Sequence, residues 1–266
     1  MQQMKTINNK TIWITGASSG IGEGLAYELS QKNCKLILSG RNLETLELVK
    51  SKCQNQHVEI LPFDLLDFDN AKNNVQKAIS FFGKIDVLIN NGGVSQRSLL
   101  AETHFEVDKK LIEIDYLGTV ALSKALLPHF IENQNGQFVV ITSLMGKFGS
   151  PFRSGYCGAK HALHGFFDVL RMEHQKDNIK VTLVCPGFIQ TNVSINALTA
   201  NGSKLNTDDE ATKNGMLVPL FAKKFVTGIE SNKFEIYIGG KEVLGVYLKR
   251  FFPRFLHWFV LKSKVR

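Results

Sequence analysis

The run Thr15-Gly16-Ala17-Ser18-Ser19-Gly20-Ile21-Gly22 constrains this chain more than any other. It directly follows the β-branched and aliphatic run 11–15 and opens a stretch with helical spacing that carries Leu25, Ala26 and Leu29. A strand, a glycine turn and a helix in immediate succession bring the free N–H groups of a helix N-terminus to the end of a strand. The glycines supply left-handed angles and close approach, and the helix dipole favours an anion such as a pyrophosphate. The arrangement predicts a dinucleotide turn.

Further short aliphatic runs fall at 34–39, 57–63, 85–90, 137–143, 179–185 and 234–238, so seven strands are expected. Between them lie segments such as Phe68, Ala71, Val75, Ala78 and Phe82, apolar at helical steps. Strand and helix in alternation argue for an α/β, doubly wound parallel sheet of seven strands with helices on both faces. With 266 residues and 44% hydrophobic content, residues 1–266 are read as one domain. The polar stretch 192–214 reads as a long loop, either closing over a ligand at the carboxyl edge of the sheet or a solvated insertion.

The four cysteines, Cys34, Cys53, Cys157 and Cys185, lack C-x-x-C spacing and clustered histidines, so neither a disulfide framework nor a metal site is expected. The first ten residues hold no apolar stretch of signal-peptide length, and a cytoplasmic protein is expected. The net charge of +8 fits a nucleic acid, an anionic membrane or a phosphorylated cofactor equally well and decides nothing alone. No recognised nucleic-acid motif accompanies it, so no nucleic-acid partner is expected.

The TGxxxGxG turn, with three residues between its first two glycines, resembles that of the short-chain dehydrogenase/reductase family, and the similarity covers nearly the whole chain. Asn90-Asn91-Gly92-Gly93 resembles the family's NNAG segment, with Gly92 in place of its alanine. The resemblance implies a Rossmann-like fold, with cofactor contacts from Gly16, Ser18, Ser19, Gly20, Ile21 and Gly22, and from Asn91 and Gly92 at the end of the fourth strand. In Phe63-Asp64-Leu65, Asp64 resembles the family residue that bonds the adenine amino group, with Leu65 beside it. Pro186-Gly187 and Thr191 resemble the family's PG motif and the threonine that contacts the nicotinamide carboxamide.

The second strand ends Leu38-Ser39-Gly40-Arg41-Asn42, without the acidic residue that would hold the free ribose hydroxyl of NAD(H). A hydroxyl at Ser39 and a guanidinium at Arg41, followed by Asn42, suit a 2′-phosphate instead. NADP(H) is therefore the expected cofactor, ahead of NAD(H).

Tyr156 and Lys160 stand four apart on one face of a candidate helix. Reducing a carbonyl requires a proton donor for the developing alkoxide, and an ordinary phenol ionises too reluctantly near neutrality. At about 4 Å and an effective dielectric near 20, a neighbouring ammonium favours phenolate by roughly 4 kcal/mol. Ser143 precedes Tyr156 by thirteen residues, the family's spacing, and its hydroxyl would hold the substrate oxygen. Lys160 would also bind the nicotinamide ribose. The family's fourth catalytic position, an asparagine, is Asp115 here, and an ionised carboxylate there would stabilise the ammonium while disfavouring tyrosinate.

The expected substrate is a small hydrophobic carbonyl compound or its alcohol, since the candidate pocket residues are mostly apolar: Ser95, Gln96, Leu144, Met145, Phe148, Phe152, Phe188 and the loop 192–214. Residues 243–266 mix aromatic and aliphatic side chains with Lys249, Arg250, Arg254, Lys262, Lys264 and Arg266 and contain no acidic residue. Pro253 and the charges rule out a span, leaving a peripheral membrane contact or packing on protein as the alternatives. The tail as a whole resembles that of carbonyl reductases in the dehydrogenase/reductase member 7 group. The family resemblance further implies a homodimer or homotetramer built on helices near 111–130 and 156–175. A protein that binds NADP(H) for regulation, with weak catalysis, is the alternative that Asp115 raises.

Overall fold

The computed structural model describes residues 7–262, so residues 1–6 of the stretch read for a signal peptide, and Lys264 and Arg266 of the tail, lie outside it. The strands are β1 (Thr11–Thr15), β2 (Lys35–Ser39), β3 (Val58–Ile60), β4 (Val87–Asn90), β5 (Gly136–Ile141), β6 (Ile179–Pro186), β7 (Ile189–Gln190), β8 (Met216–Leu217) and β9 (Glu235–Ile238). Seven of them form one parallel sheet in the order β3-β2-β1-β4-β5-β6-β9. These are the seven expected strands. The order reverses between β1 and β4, which opens a crevice at their carboxyl ends.

The strands are apolar on both faces because both faces are covered. In β1, Ile12 and Ile14 join Leu36, Leu38, Ile89 and Val139 in one core, while Trp13 between them joins Ile37, Leu88, Phe138 and Val140 in the other. This is the two-residue alternation of a strand. Helices α1 (Gly20–Ser30), α2 (Leu43–Lys52) and α8 (Val218–Glu230) cover the first face through Leu25, Leu29, Leu46, Phe221 and Phe225. The second lies under α3 (Ala71–Phe82), α5 (Thr119–Glu132) and α6 (Ser154–Glu173), which bring Val75, Ala78, Leu126, Phe130 and Phe167.

The helix α4 (Phe105–Ile112) runs into α5 through one wider turn of π-helix, Glu113–Gly118. Single π-turns inside α-helices carry one surplus residue and recur at functional sites.

The stretch 192–214 is largely exposed yet tied to the domain at several points. Ile189–Gln190 and Met216–Leu217 pair as a two-residue parallel ribbon at its base, and the short helix α7 (Glu210–Lys213) sits within it. Leu198 exchanges backbone hydrogen bonds with Ser95 and Arg97, and Ala200 accepts from His104. The chain ends in α9 (Leu244–Phe251) and α10 (Pro253–Lys262). Among the described residues no helix is long and apolar enough to cross a membrane.

Candidate functional site

At the end of β1 the backbone turns through Gly16 (φ 62°) and Gly20 (φ 59°), angles that favour glycine. The turn is held from β4. Asn91 Nδ2 donates to the carbonyls of Thr15 and Gly16 at 3.0 and 3.1 Å, and Thr15 Oγ1 accepts the N–H groups of Asn91 and Gly92, each at 3.0 Å. A Cβ at residue 22 would stand 2.2 Å from Gly16 O, and one at residue 92 would stand 2.6 Å from Leu65 Cδ1. Gly22 is thus required against the Gly16 backbone, whereas the tip of Leu65 could move aside for a Cβ at residue 92. Ser19 caps α1 without a side-chain bond to it. Ile21 packs its side chain toward the core, leaving its backbone to the turn. Thr191 lies against Gly20, so the chain after β6 meets the turn from the other side.

At the end of β2 the three expected phosphate ligands separate. Ser39 is buried and its hydroxyl accepts the indole N–H of Trp13 at 2.8 Å, so the group expected at the 2′-phosphate is engaged in the core instead. Asn42 Oδ1 accepts from the N–H of Thr45 and caps α2. Arg41 is exposed beside Gly40, where Ser18 of the glycine turn also lies. Asp64 Oδ1 accepts from the N–H of Leu66, which fixes the chain after β3.

Tyr156 and Lys160 project from the first turns of α6, with Lys160 Nζ 5.6 Å from the centre of the Tyr156 ring. Lys160 Nζ also lies 3.4 Å from Asp115 Oδ2 and 3.4 Å from the carbonyl of Ile141. Asp115 Oδ1 accepts the N–H of Val94 at 2.7 Å. The π-turn therefore presents a carboxylate where the ammonium needs one, and Gly93 leaves the room, since a Cβ there would meet Asp115 Oδ1 at 3.0 Å and Lys160 Nζ at 3.2 Å. Burial raises the Asp115 carboxyl above the usual carboxylate range, although Lys160 and the Val94 N–H pull it back. Burial alone would lower Lys160, but the charge of Asp115 and the nearby Tyr156 outweigh it and hold the ammonium above its ordinary range. Ser143 closes β5 with its hydroxyl accepting from the N–H of Met145 at 3.1 Å, capping a short 3₁₀ turn, Leu144–Gly146. That leaves the Ser143 proton to be donated.

Several residues expected to line the pocket prove to be supports. Gln96 is fully buried. Its carboxamide oxygen accepts the N–H groups of Gly155 and Tyr156, at 2.9 and 3.3 Å, at the start of α6, where Arg153 provides no side-chain cap. Its nitrogen donates to Ser98, Thr103 and Ser154. Gln96 thus sets the position of Tyr156. Leu144 and Phe148 are buried under the tail with Cys185 and Leu256. Phe152 takes a left-handed φ of 67° just before α6, a strained position for a non-glycine residue.

Other supports combine local bonds with contacts between distant parts of the chain. Glu242, the last acidic residue before the basic tail, accepts the N–H groups of Phe188 and Gly240 and sits where a Cβ at residue 187 would be, fixing the Pro186-Gly187 turn. Thr191 Oγ1 accepts from the N–H of Val193 and donates to the carbonyl of Ile189. Buried Arg97 holds Asp209 through Nε and Nη2 at 2.9 and 2.6 Å and reaches Ser95 Oγ and Gln96 O with Nη1. Arg153 approaches the same carboxylate oxygen at 3.8 Å. Behind the Ser143 turn, Glu235 binds Lys147, Tyr237 and His164. Despite its burial, those bonds bring its carboxyl down to about 2.

Comparison with known proteins adds to this geometry. A family model described as short chain dehydrogenase matches residues 10–201. The chain is 38% identical over 266 residues to Dehydrogenase/reductase SDR family member 7 of Homo sapiens, covering 96% of this chain and 78% of that protein. It is 37% identical over 267 residues to Dehydrogenase/reductase SDR family member 7B of Mus musculus, covering 98% and 82%. Among solved structures, a short-chain dehydrogenase from Streptomyces avermitilis superposes with a TM-score of 0.80 at 24% identity, over 96% of this chain and 98% of that one. A short chain dehydrogenase/reductase from Burkholderia phymatum in complex with NAD superposes with a TM-score of 0.82 at 19% identity, over 92% and 94%. At these identities the structural likeness speaks to the fold.

Proposed function

The chain belongs to the short chain dehydrogenase family, and from that premise we propose that it interconverts a hydrophobic carbonyl compound and its alcohol with NADP(H), using Tyr156 as general acid and base. The observation that carries this reading is the convergence of Tyr156, Lys160 and Asp115 beside Gly93, next to the glycine cradle formed with Asn91. The cradle suits a nicotinamide dinucleotide because its glycines open the space that a pyrophosphate needs at the start of α1. When bound, the nicotinamide gives or takes the hydride.

The protein's own groups handle the proton. Tyr156 gives its hydroxyl proton to the carbonyl oxygen during reduction and takes it back during oxidation. Ser143 donates a hydrogen bond to the same oxygen, orienting it and stabilising the charge that develops there. Asp115 strengthens the hold of Lys160 on its proton, and the ammonium charge favours the phenolate form of Tyr156. Thr191 and the Pro186-Gly187 turn would hold the carboxamide side of the ring, and Asp64 and Leu65 would line the adenine end. The outward-facing Leu117 before α5, and Val169 and Met172 of α6, support a second copy packed along those two helices.

Arg41 is the NADP(H)-selecting residue in this reading, since Ser39 faces the core. Hydrogen bonds to charged groups contribute about 1.5–3 kcal/mol, so Arg41→Ala is expected to raise the KM for NADPH at least about tenfold while leaving that for NADH nearly unchanged. The test is loss of NADPH or NADH absorbance with a panel of hydrophobic ketones and aldehydes. Equal use of both cofactors by the wild-type protein would refute NADP(H) selectivity. Cofactor binding without turnover on any substrate would favour the regulatory alternative.

Asp115 makes a separate prediction. An anionic Asp115 offsets part of the Lys160 field at Tyr156, so Asp115→Asn is expected to shift the rise of alcohol oxidation with pH toward lower pH. Burial raises this carboxyl, so its contribution to stability is present at acid pH and is lost as pH rises from the ordinary carboxylate range through the raised value. The asparagine variant loses that slope. A profile of kcat/KM and melting temperature against pH that is the same in both proteins would remove any electrostatic role for Asp115.

A further inference from the structure

The inner faces of the two terminal helices are accounted for. Gly245 of α9 admits the Phe148 ring, which a Cβ there would meet at 2.7 Å, and Leu256 and Val260 of α10, four apart, pack with Leu144, Phe148 and Cys185. Their outer faces are also apolar. Leu244, Tyr247 and Phe251 recur at three- and four-residue steps along α9, and Phe255 and Trp258 continue along α10, each half or more exposed. A globular helix usually turns its polar side to water.

We propose that α9 and α10 form a surface that docks this protein on an anionic lipid bilayer. Large aromatic side chains beside lysine and arginine are the composition of helices that lie in a headgroup layer. Lys249, Arg250, Arg254 and Lys262 are exposed on these helices, and Lys262 lies 4.1 Å over the Trp258 ring. No Asp or Glu follows Glu242 anywhere in the sequence. A second copy seated on this face would bring the two sets of cations together with no acidic residue of the segment to pair them, whereas anionic headgroups supply the missing charge. The helices have eight and ten residues, so they lie flat rather than insert. Because their inner faces pack on the turn that follows Ser143, a docked tail sets the candidate site beside the bilayer.

The full chain, without cofactor or substrate, is to be sedimented with phosphatidylcholine vesicles containing or lacking phosphatidylserine. This readout is independent of the oxidoreductase reading. The bound fraction is expected to rise at least about tenfold with phosphatidylserine and to fall with added salt. Phe251→Ser/Phe255→Ser/Trp258→Ser alters only exposed side chains and is expected to keep the wild-type melting temperature while losing the binding. Lys249→Glu/Arg250→Glu/Arg254→Glu, which leaves the apolar face intact, is expected to lose the response to phosphatidylserine. The proposal is overturned by a wild-type protein that binds neither vesicle, by binding that the serine variant retains, or by a wild-type dimer that ignores vesicles and dissociates in that variant.

Discussion

A Tyr156→Phe protein is expected to bind NADPH as the wild type does and to reduce its carbonyl substrate about 10²–10⁴-fold more slowly, the range that a positioned general acid contributes. The substitution is a clean probe because it removes one oxygen and keeps the ring, which packs with Val107, Leu111 and Leu198. Replacing Lys160 would be less informative, since it would leave Asp115 buried without its counter-charge. Cofactor titration and single-turnover NADPH consumption check the two halves of the expectation separately. Turnover within a few-fold of wild type would remove Tyr156 from the chemistry.

The largest expected effect on stability is at Asp209. Arg97, Arg153 and Asp209 are each buried, and burial together with the neighbouring Arg97 brings the Arg153 guanidinium down to about 10. Asp209→Ala leaves both cations without that partner, and breaking a buried pair costs roughly 3–5 kcal/mol. At about 2–4 °C per kcal/mol for a protein of this size, the melting temperature should fall by on the order of 10 °C. Burial opposes ionisation of Asp209, but bonds from Thr212 and Arg97 hold its carboxyl below the usual carboxylate range. Its contribution is therefore present above the ordinary carboxylate pKa and is lost as pH falls from there through the depressed value. An Asp209→Ala protein should be less sensitive to acid over that interval as well as less stable above it. Calorimetry at neutral and acid pH distinguishes this from a loop held by its backbone bonds alone, for which neither value would move.

Strands and the glycine turn were legible because their signals are local. Ile12, Trp13 and Ile14 form a run that only a strand covered on both sides can bury, and Gly16, Gly20 and Gly22 follow in register. Ser39 misled because a hydroxyl at a strand end can point either way. The two-residue alternation puts it on the side of Trp13, whose indole N–H requires a buried acceptor. The place of Gln96 after a strand points to the pocket, but nothing in the sequence announces that a helix start 59 residues later needs its side-chain oxygen. The Arg97–Asp209 pair spans 112 residues and is equally silent. Such pairs are set by which loops the sheet order brings together, not by spacing along the chain.

The π-turn at Glu113–Gly118 also bears on what length changes this region could tolerate. Before it, Val107 and Leu111 face Leu198 of the long loop; after it, Leu122 and Leu126 face the sheet. Deleting that surplus residue would restore an even 3.6-residue winding with both halves still in phase, whereas deleting a residue from a regular turn would rotate one half against the other by about 100°. With the surplus residue removed, Val107, Leu111, Leu122 and Leu126 would keep their faces, and the change would fall on the turn itself, which holds Asp115 against Lys160. A relative one residue shorter at this turn would thus keep the loop's floor and the sheet's cover while changing what faces the residue that matches Lys160.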